Sequence, residues 1–125
     1  MARQSFQLEF ILKCSPTILW DFLTTTNGLA NWFADSVDDK DDVFIFEWSG
    51  SKERARVIEA VEPELFRMRW LSGPKDEYFE FKIESSEVTR DTILYVTDFA
   101  DDDDLEDQRI LWESQIETLM SRIGS

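Results

Sequence analysis

Phe6, Leu8 and Phe10 alternate with Gln7 and Glu9 near the start of the chain, and this period of two predicts a half-buried strand over residues 5–12. Ser15-Pro16 follows as an N-cap residue and a proline at the first helical position. Leu19, Trp20 and Leu23 then recur on one helical face. Thr24, Thr25 and Thr26 weaken that helix, and Asn27 is placed to cap a second short one carrying Gly28, Leu29, Trp32 and Phe33. The stretch from Asp35 to Asp42 is polar surface with room for a short edge strand around Ser36 to Asp38.

From there the period of two returns. Val43 to Trp48 predicts a strand closed by Ser49-Gly50-Ser51, and Glu53 to Val61 the strand that returns, stopped by Pro63. In Leu65 to Leu71, Phe66, Met68 and Trp70 alternate with Arg67 and Arg69, before Ser72-Gly73-Pro74 breaks the run. In Glu77 to Glu84, Phe79, Phe81 and Ile83 alternate with Glu80, Lys82 and Glu84. Asp91 to Phe99 is the last strand. Consecutive strands joined by short turns predict an antiparallel meander. A final helix runs from Leu105 to Ile123, with Leu105, Trp112, Ile116, Leu119 and Ile123 on one stripe, Arg109 inside that stripe, and Gly124 as its stop. The order predicts an α+β fold: a curved antiparallel sheet of about six to seven strands around a long C-terminal helix, with a cavity between them.

Composition narrows the function classes. A chain of 125 residues suits one domain, spanning residues 1–125. Ten Phe and five Trp are ample for a core and can also line a hollow interior. Thirteen basic residues against 27 acidic ones leave a net charge of −14, which repels phosphate backbones and anionic membrane surfaces; no nucleic-acid partner is expected. Cys14 is the single cysteine, so no internal disulfide can form and a reducing compartment is expected. The first residues lack the apolar run of a secretory signal, and no segment approaches the ~20 apolar residues of a membrane span. The expectation is a cytoplasmic protein.

Candidate chemistry is sparse. Without His, the usual nucleophile–base pairs and the commonest metal ligand are missing. The four glycines are scattered, so there is no phosphate-cradling loop. Two acidic clusters, Asp35, Asp38, Asp39, Asp41 and Asp42, then Asp101 to Asp104 with Glu106 and Asp107, lack the spacing of a calcium loop. The second suits the positive end of the final helix. Neither a catalytic set, a metal nor a cofactor is expected. Cys14 precedes a helix N-terminus, a place that can lower a thiol pKa, although a lone cysteine more commonly just packs. Asp98 shares parity with Leu94 and Val96 and should face the cavity with Arg109, holding a polar head group or forming an ion pair. Glu59, in phase with Val57 and Val61, is a further candidate inward carboxylate, whereas Tyr95 has the opposite parity. The expected ligand-binding set is Phe44, Phe46, Phe66, Met68, Trp70, Phe79, Phe81, Leu94, Val96, Asp98, Arg109, Trp112 and Ile116, with Leu119 and Met120 approaching from the helix. The plainer alternative is a mostly filled core with a small pocket.

Several of these motifs occur together in a known family. Ser15-Pro16, Leu19-Trp20 and Trp32-Phe33, then Val57 to Pro63 followed by Phe66, Met68 and Trp70, and finally Trp112, resemble the START-like, helix-grip superfamily of the birch-pollen allergen and the polyketide cyclases. Within it the chain is most similar to homologues of the activator of the heat-shock-ninety chaperone ATPase. The resemblance covers nearly the whole chain, which departs from it in lacking His and in its acidic loop after the paired helices. It implies a helix-grip fold and a non-enzymatic domain that binds a hydrophobic small molecule or lipid between sheet and C-terminal helix. The alternative is a protein-interaction module of the chaperone-activator kind; a cyclase- or hydrolase-type enzyme is the third reading. Exposed sheet edges leave a homodimer open.

Overall fold

The chain is laid out as β1 (Arg3–Leu12), α1 (Pro16–Thr24), α2 (Thr26–Ala30), β2 (Ser36–Lys40), β3 (Val43–Trp48), β4 (Ser51–Val61), β5 (Leu65–Trp70), β6 (Phe79–Ser85), β7 (Thr92–Asp101) and α3 (Leu105–Ile123). These elements come from a computed structural model, which describes residues 2–124. The seven strands form one sheet in the order β1-β7-β6-β5-β4-β3-β2, every pair antiparallel. From β2 to β7 the chain is a plain meander. The exception is the first connection: β1 and β2 lie at opposite edges, and α1 and α2 carry the chain from one to the other.

Local chemistry explains that connection. Ser15 holds extended backbone angles and its hydroxyl accepts from the Ile18 N–H at 3.2 Å, while Pro16 opens α1. Leu19, Trp20 and Leu23 are the buried face of the helix. Its end hands over directly to α2, and here the structure corrects the expectation for Asn27. Thr25 is the cap: it sits at φ −108° and ψ 156°, and its hydroxyl accepts from the Gly28 N–H at 2.9 Å. Asn27 lies inside the short helix. The two helices are so close that a Cβ on Gly28 would stand 2.2 Å from the Asp21 carbonyl oxygen and 2.6 Å from the Phe22 Cα.

The polar stretch after α2 is more regular than its composition suggests. β2 runs on to Lys40, and Asp41 and Asp42 turn the chain with φ of 51° and 65°, a two-residue hairpin of the kind that matches strand twist. Ser49 and Gly50 do the same between β3 and β4, which is why β4 starts at Ser51 instead of Glu53. A register shift in β4 between Val57 and Glu59 corrects the second expectation. Past that bulge Glu59 lies opposite Arg67 on the outer face, where Arg67 donates to the buried Glu80 carboxylate at 2.7 Å, and Glu59 is exposed instead of inward.

The inner face of the sheet is filled. Phe46, Met68, Phe79, Phe81, Leu94 and Val96 are fully buried, as are Ile116 and Leu119 of α3. Phe33, just past α2, is the hub of the aromatic cluster. Its ring stacks on Phe79 and Trp112 at centroid distances of 5.9 and 5.8 Å and meets Phe46 edge-on at 5.0 Å. Its carbonyl accepts from the Trp48 indole at 2.7 Å and from the Gln115 amide at 3.4 Å. No buried side-chain nitrogen or oxygen among the described residues lacks a hydrogen-bond partner. No described helix is long and apolar enough to cross a membrane.

Because Gly28 faces fixed backbone of α1, Gly28→Ala should destabilise the protein by about 1–3 kcal/mol, the usual cost of overpacking. Urea unfolding would show this as a lower midpoint with an unchanged slope.

Candidate functional site

Antiparallel order brings one set of strand ends together: the starts of β1, β4 and β6 and the ends of β3, β5 and β7. The first turns of α3 cover them incompletely. The result is an open cleft of about 600 Å3. Its apolar wall is Trp48, Trp70, Tyr78, Phe99 and Leu111, and its polar groups are Arg3, Glu53, Glu77, Asp98, Asp104 and Gln108. Ser72, Gly73, Pro74 and Ala100 complete it. Trp48 and Trp70 lie 6.1 Å apart between ring centroids, and Trp70 stacks at 4.9 Å on the buried Phe79, so the wall is the exposed margin of the core cluster. Tyr78 is held edge-on by Phe99 at 5.2 Å and carries the Arg67 guanidinium 4.1 Å above its ring.

Two carboxylates in the cleft have opposite electrostatics. The Arg3 guanidinium donates through Nε to Glu77 at 2.9 Å and also faces Asp101 at 4.0 Å. That bond holds the Glu77 carboxyl below its ordinary value and pushes Arg3 up. Asp98 is mostly buried, and burial pushes its carboxyl up against the pull of two neutral donors. Those donors are the Trp112 indole N–H at 2.9 Å and the Phe99 backbone N–H at 2.8 Å, one on each oxygen. Glu53 accepts from the Ser72 hydroxyl at 3.1 Å. Asp104 is the N-cap residue of α3 but makes no capping bond with its side chain.

Of the residues expected to bind a ligand, the structure brings Trp70 and Asp98 to this cleft. Phe44, Phe46, Phe66, Met68, Phe79, Phe81, Leu94, Val96, Trp112 and Ile116 lie in the packed core beneath it. Arg109 is elsewhere: its guanidinium stands 5.7 Å from the centre of the Phe6 ring. The expected Asp98–Arg109 ion pair is therefore corrected. Among the described residues the ion pairs do not include it, because the Trp112 indole satisfies the buried oxygen of Asp98 that faces α3. Cys14 packs against the core: burial pushes its thiol up, and it does not line the cleft. No group of three or more acidic or cysteine side chains among the described residues is placed to hold a metal.

Several cleft residues escaped the sequence reading. Trp48 carried a signal, since it continues the parity of Phe44 and Phe46. Glu53 carried one as well, in phase with Ala55 and Val57, whereas Arg3, Glu77, Tyr78, Asp104, Gln108 and Leu111 carried none, because they sit at element ends or on a helix flank where period says nothing about direction.

Comparison with known proteins agrees with this architecture. The model of the START-like superfamily domain matches residues 1–125, and the chain belongs to that superfamily. A Bacteroides fragilis protein solved in solution by NMR is 32% identical, with a TM-score of 0.70 over 98% of this chain and 93% of that one. The Aha1 dimer from Colwellia psychrerythraea superposes with a TM-score of 0.81 at 16% identity, covering 94% of this chain and 93% of that one. A Mesorhizobium loti protein does so at 0.81 and 15% identity, over 97% of both chains. At these lower identities the likeness is one of fold. No curated protein matches the chain. The superfamily fold is that of a ligand-binding or interaction domain in general.

The two carboxylates predict opposite pH responses. Asp98 titrates above its ordinary 3.8 in the folded state, so native stability falls as pH rises from 3.8 through the raised value. Asp98→Asn removes that fall, and its stability relative to the parent should improve between about pH 3 and 7. Glu77 titrates below its ordinary 4.5, so its stabilisation is present above 4.5 and lost as pH drops through the folded value. The loss caused by Glu77→Gln should be largest near neutrality and shrink in acid. Urea unfolding of both variants across that range checks the two signs.

Proposed function

We propose that this domain binds a largely apolar small molecule in the cleft between the sheet ends and α3, and does so without transforming it. The observation that carries this reading is the open space of about 600 Å3 walled by Trp48 and Trp70, a volume within the range of small-molecule sites. Rigid rings anchored in the core, as Trp70 is on Phe79, offer contact area with little ordering cost. The polar groups present are carboxylates, one guanidinium, an amide and the hydroxyls of Ser72 and Tyr78. They suit orientation of a ligand better than nucleophilic attack, since none is paired with a base of the serine–histidine kind. The ligand reading thus moves outward from the centre of the sheet, where rings already occupy the space, to its open end.

Thermal denaturation against a panel of lipids and apolar metabolites, with native mass spectrometry of the purified protein, tests the reading. A ligand at about 100 times its Kd should stabilise the fold by about 2.7 kcal/mol. Trp70→Ala should weaken binding by about tenfold or more, by analogy with the loss of a buried aromatic anchor. A panel with no stabilising member and no bound mass would sink the proposal.

A protein-interaction role is the second reading, supported at the level of fold by the likeness to the Aha1 dimer. The outer edges of β1 and β2 also carry no partner strand among the described residues. The acidic turn offers a discriminating site. Asp104 lines the cleft, but Asp103 is exposed and does not. Asp103→Lys should leave small-molecule binding intact and disturb a partner that docks on that turn.

A further inference from the structure

The charge distribution in the cleft has a direction. Arg3 is the single cation in its lining, and it is engaged with Glu77 and near Asp101. None of Glu53, Asp98 and Asp104 forms an ion pair among the described residues, although the more distant Arg3 charge also acts on Asp98. Glu53 receives a hydroxyl, Asp98 two neutral N–H groups, and Asp104 makes no capping bond. A carboxylate offers about four lone-pair sites, so each retains capacity for another donor.

The positive end of α3 would favour an anion in the cleft. It is already offset by Glu106 and Asp107 in the first helical turn, together with Asp104 at the cap. Helix electrostatics do not account for Glu53, which arrives from β4 on the other side of the cleft, nor for Asp98, whose burial raises the cost of leaving it charged and unpaired. The aromatic wall works in the same sense as the carboxylates. The faces of aromatic rings such as Trp48 and Trp70 carry negative quadrupole charge that attracts ammonium groups.

We propose that the ligand of this cleft is an organic cation, an apolar ring body bearing a protonated amine, with the ring on Trp48 and Trp70 and the ammonium group among Asp98, Glu53 and Asp104. This rests on the reading of the cleft as a small-molecule site and adds the charge of the molecule it selects. An ammonium hydrogen-bonded to carboxylates is held more strongly than a neutral hydroxyl in the same place. An anionic head group meets three carboxylates that form no ion pair and is rejected.

Isothermal titration of the full chain with 1-naphthylmethylamine, 1-naphthalenemethanol and 1-naphthoic acid at neutral pH separates the terms, because the ring is constant and the head group changes. The amine should bind about tenfold tighter than the alcohol or more, and the acid most weakly. The preference should narrow as salt rises from about 20 to 150 mM. Trp70→Ala should weaken amine and alcohol alike, locating both in the cleft. Asp98→Asn, and separately the rim variant Glu53→Gln with Asp104→Asn, should reduce the amine preference to about threefold or less while the alcohol still binds. The rim variant keeps the test valid if Asp98→Asn does not fold. Equal binding of amine and alcohol would overturn the cation inference and leave the apolar-site reading standing. Failure of all three probes to bind would overturn both. An amine preference untouched by the rim variant, or binding untouched by Trp70→Ala, would also overturn the inference.

Discussion

The contact on which this structure turns is Phe33 between the sheet and α3. Its ring stacks on Phe79 from one side of that boundary and on Trp112 from the other, while its carbonyl accepts bonds from Trp48 and Gln115. One residue just past α2 thus ties the short helices, the central strands and the long helix together. Removal of a buried aromatic ring of this kind typically costs about 3–5 kcal/mol, a large part of the stability of a small domain. The same contact decides where a ligand can go. Rings that meet at five to six ångströms pack the centre, and the cleft opens beyond them at the end of the sheet.

That end owes its character to antiparallel geometry. A meander places alternate strand starts and finishes side by side, and these are the positions where side chains are released from the pleat. The cleft accordingly gathers residues from five strands, from the connection between β5 and β6, and from the N-terminal part of α3. Its aromatic wall is continuous with the core through Trp70 on Phe79, and one of its carboxylates is joined to the core through Asp98 and Trp112. Binding there would act on a surface that the core already holds rigid, which favours selectivity over adaptability.

Most of the architecture was legible in the residues. Ser15-Pro16 marks the start of α1 through a hydroxyl bond and a fixed φ, both local, and the stripe from Leu105 to Ile123 matches α3 end to end. Alternation placed β3, β5 and β6 and identified their inner faces correctly at Phe46, Met68 and Phe81. The errors are equally local in origin. Asn27 competed with Thr25 as a cap, and the choice went to the residue whose backbone remains extended between two helices. Glu59 was read through a bulge, where one extra residue reverses every later side chain.

The candidate site divides along the same line. Which side chains are apolar-inward, where helices start, and the scarcity of nucleophiles follow from the order of residues, because each depends on neighbours a few positions away. Whether the inward rings enclose a cavity or fill it depends on how far α3 and Phe33 descend onto the sheet, a distance that no period encodes. Arg3 meets Glu77 across 74 positions and Trp112 meets Asp98 across 14, and those pairings exist because strand register and the angle of α3 bring the atoms together. Long-range register, set by the packing of the whole sheet, turned a list of acidic and aromatic residues into a cleft with a sign of charge.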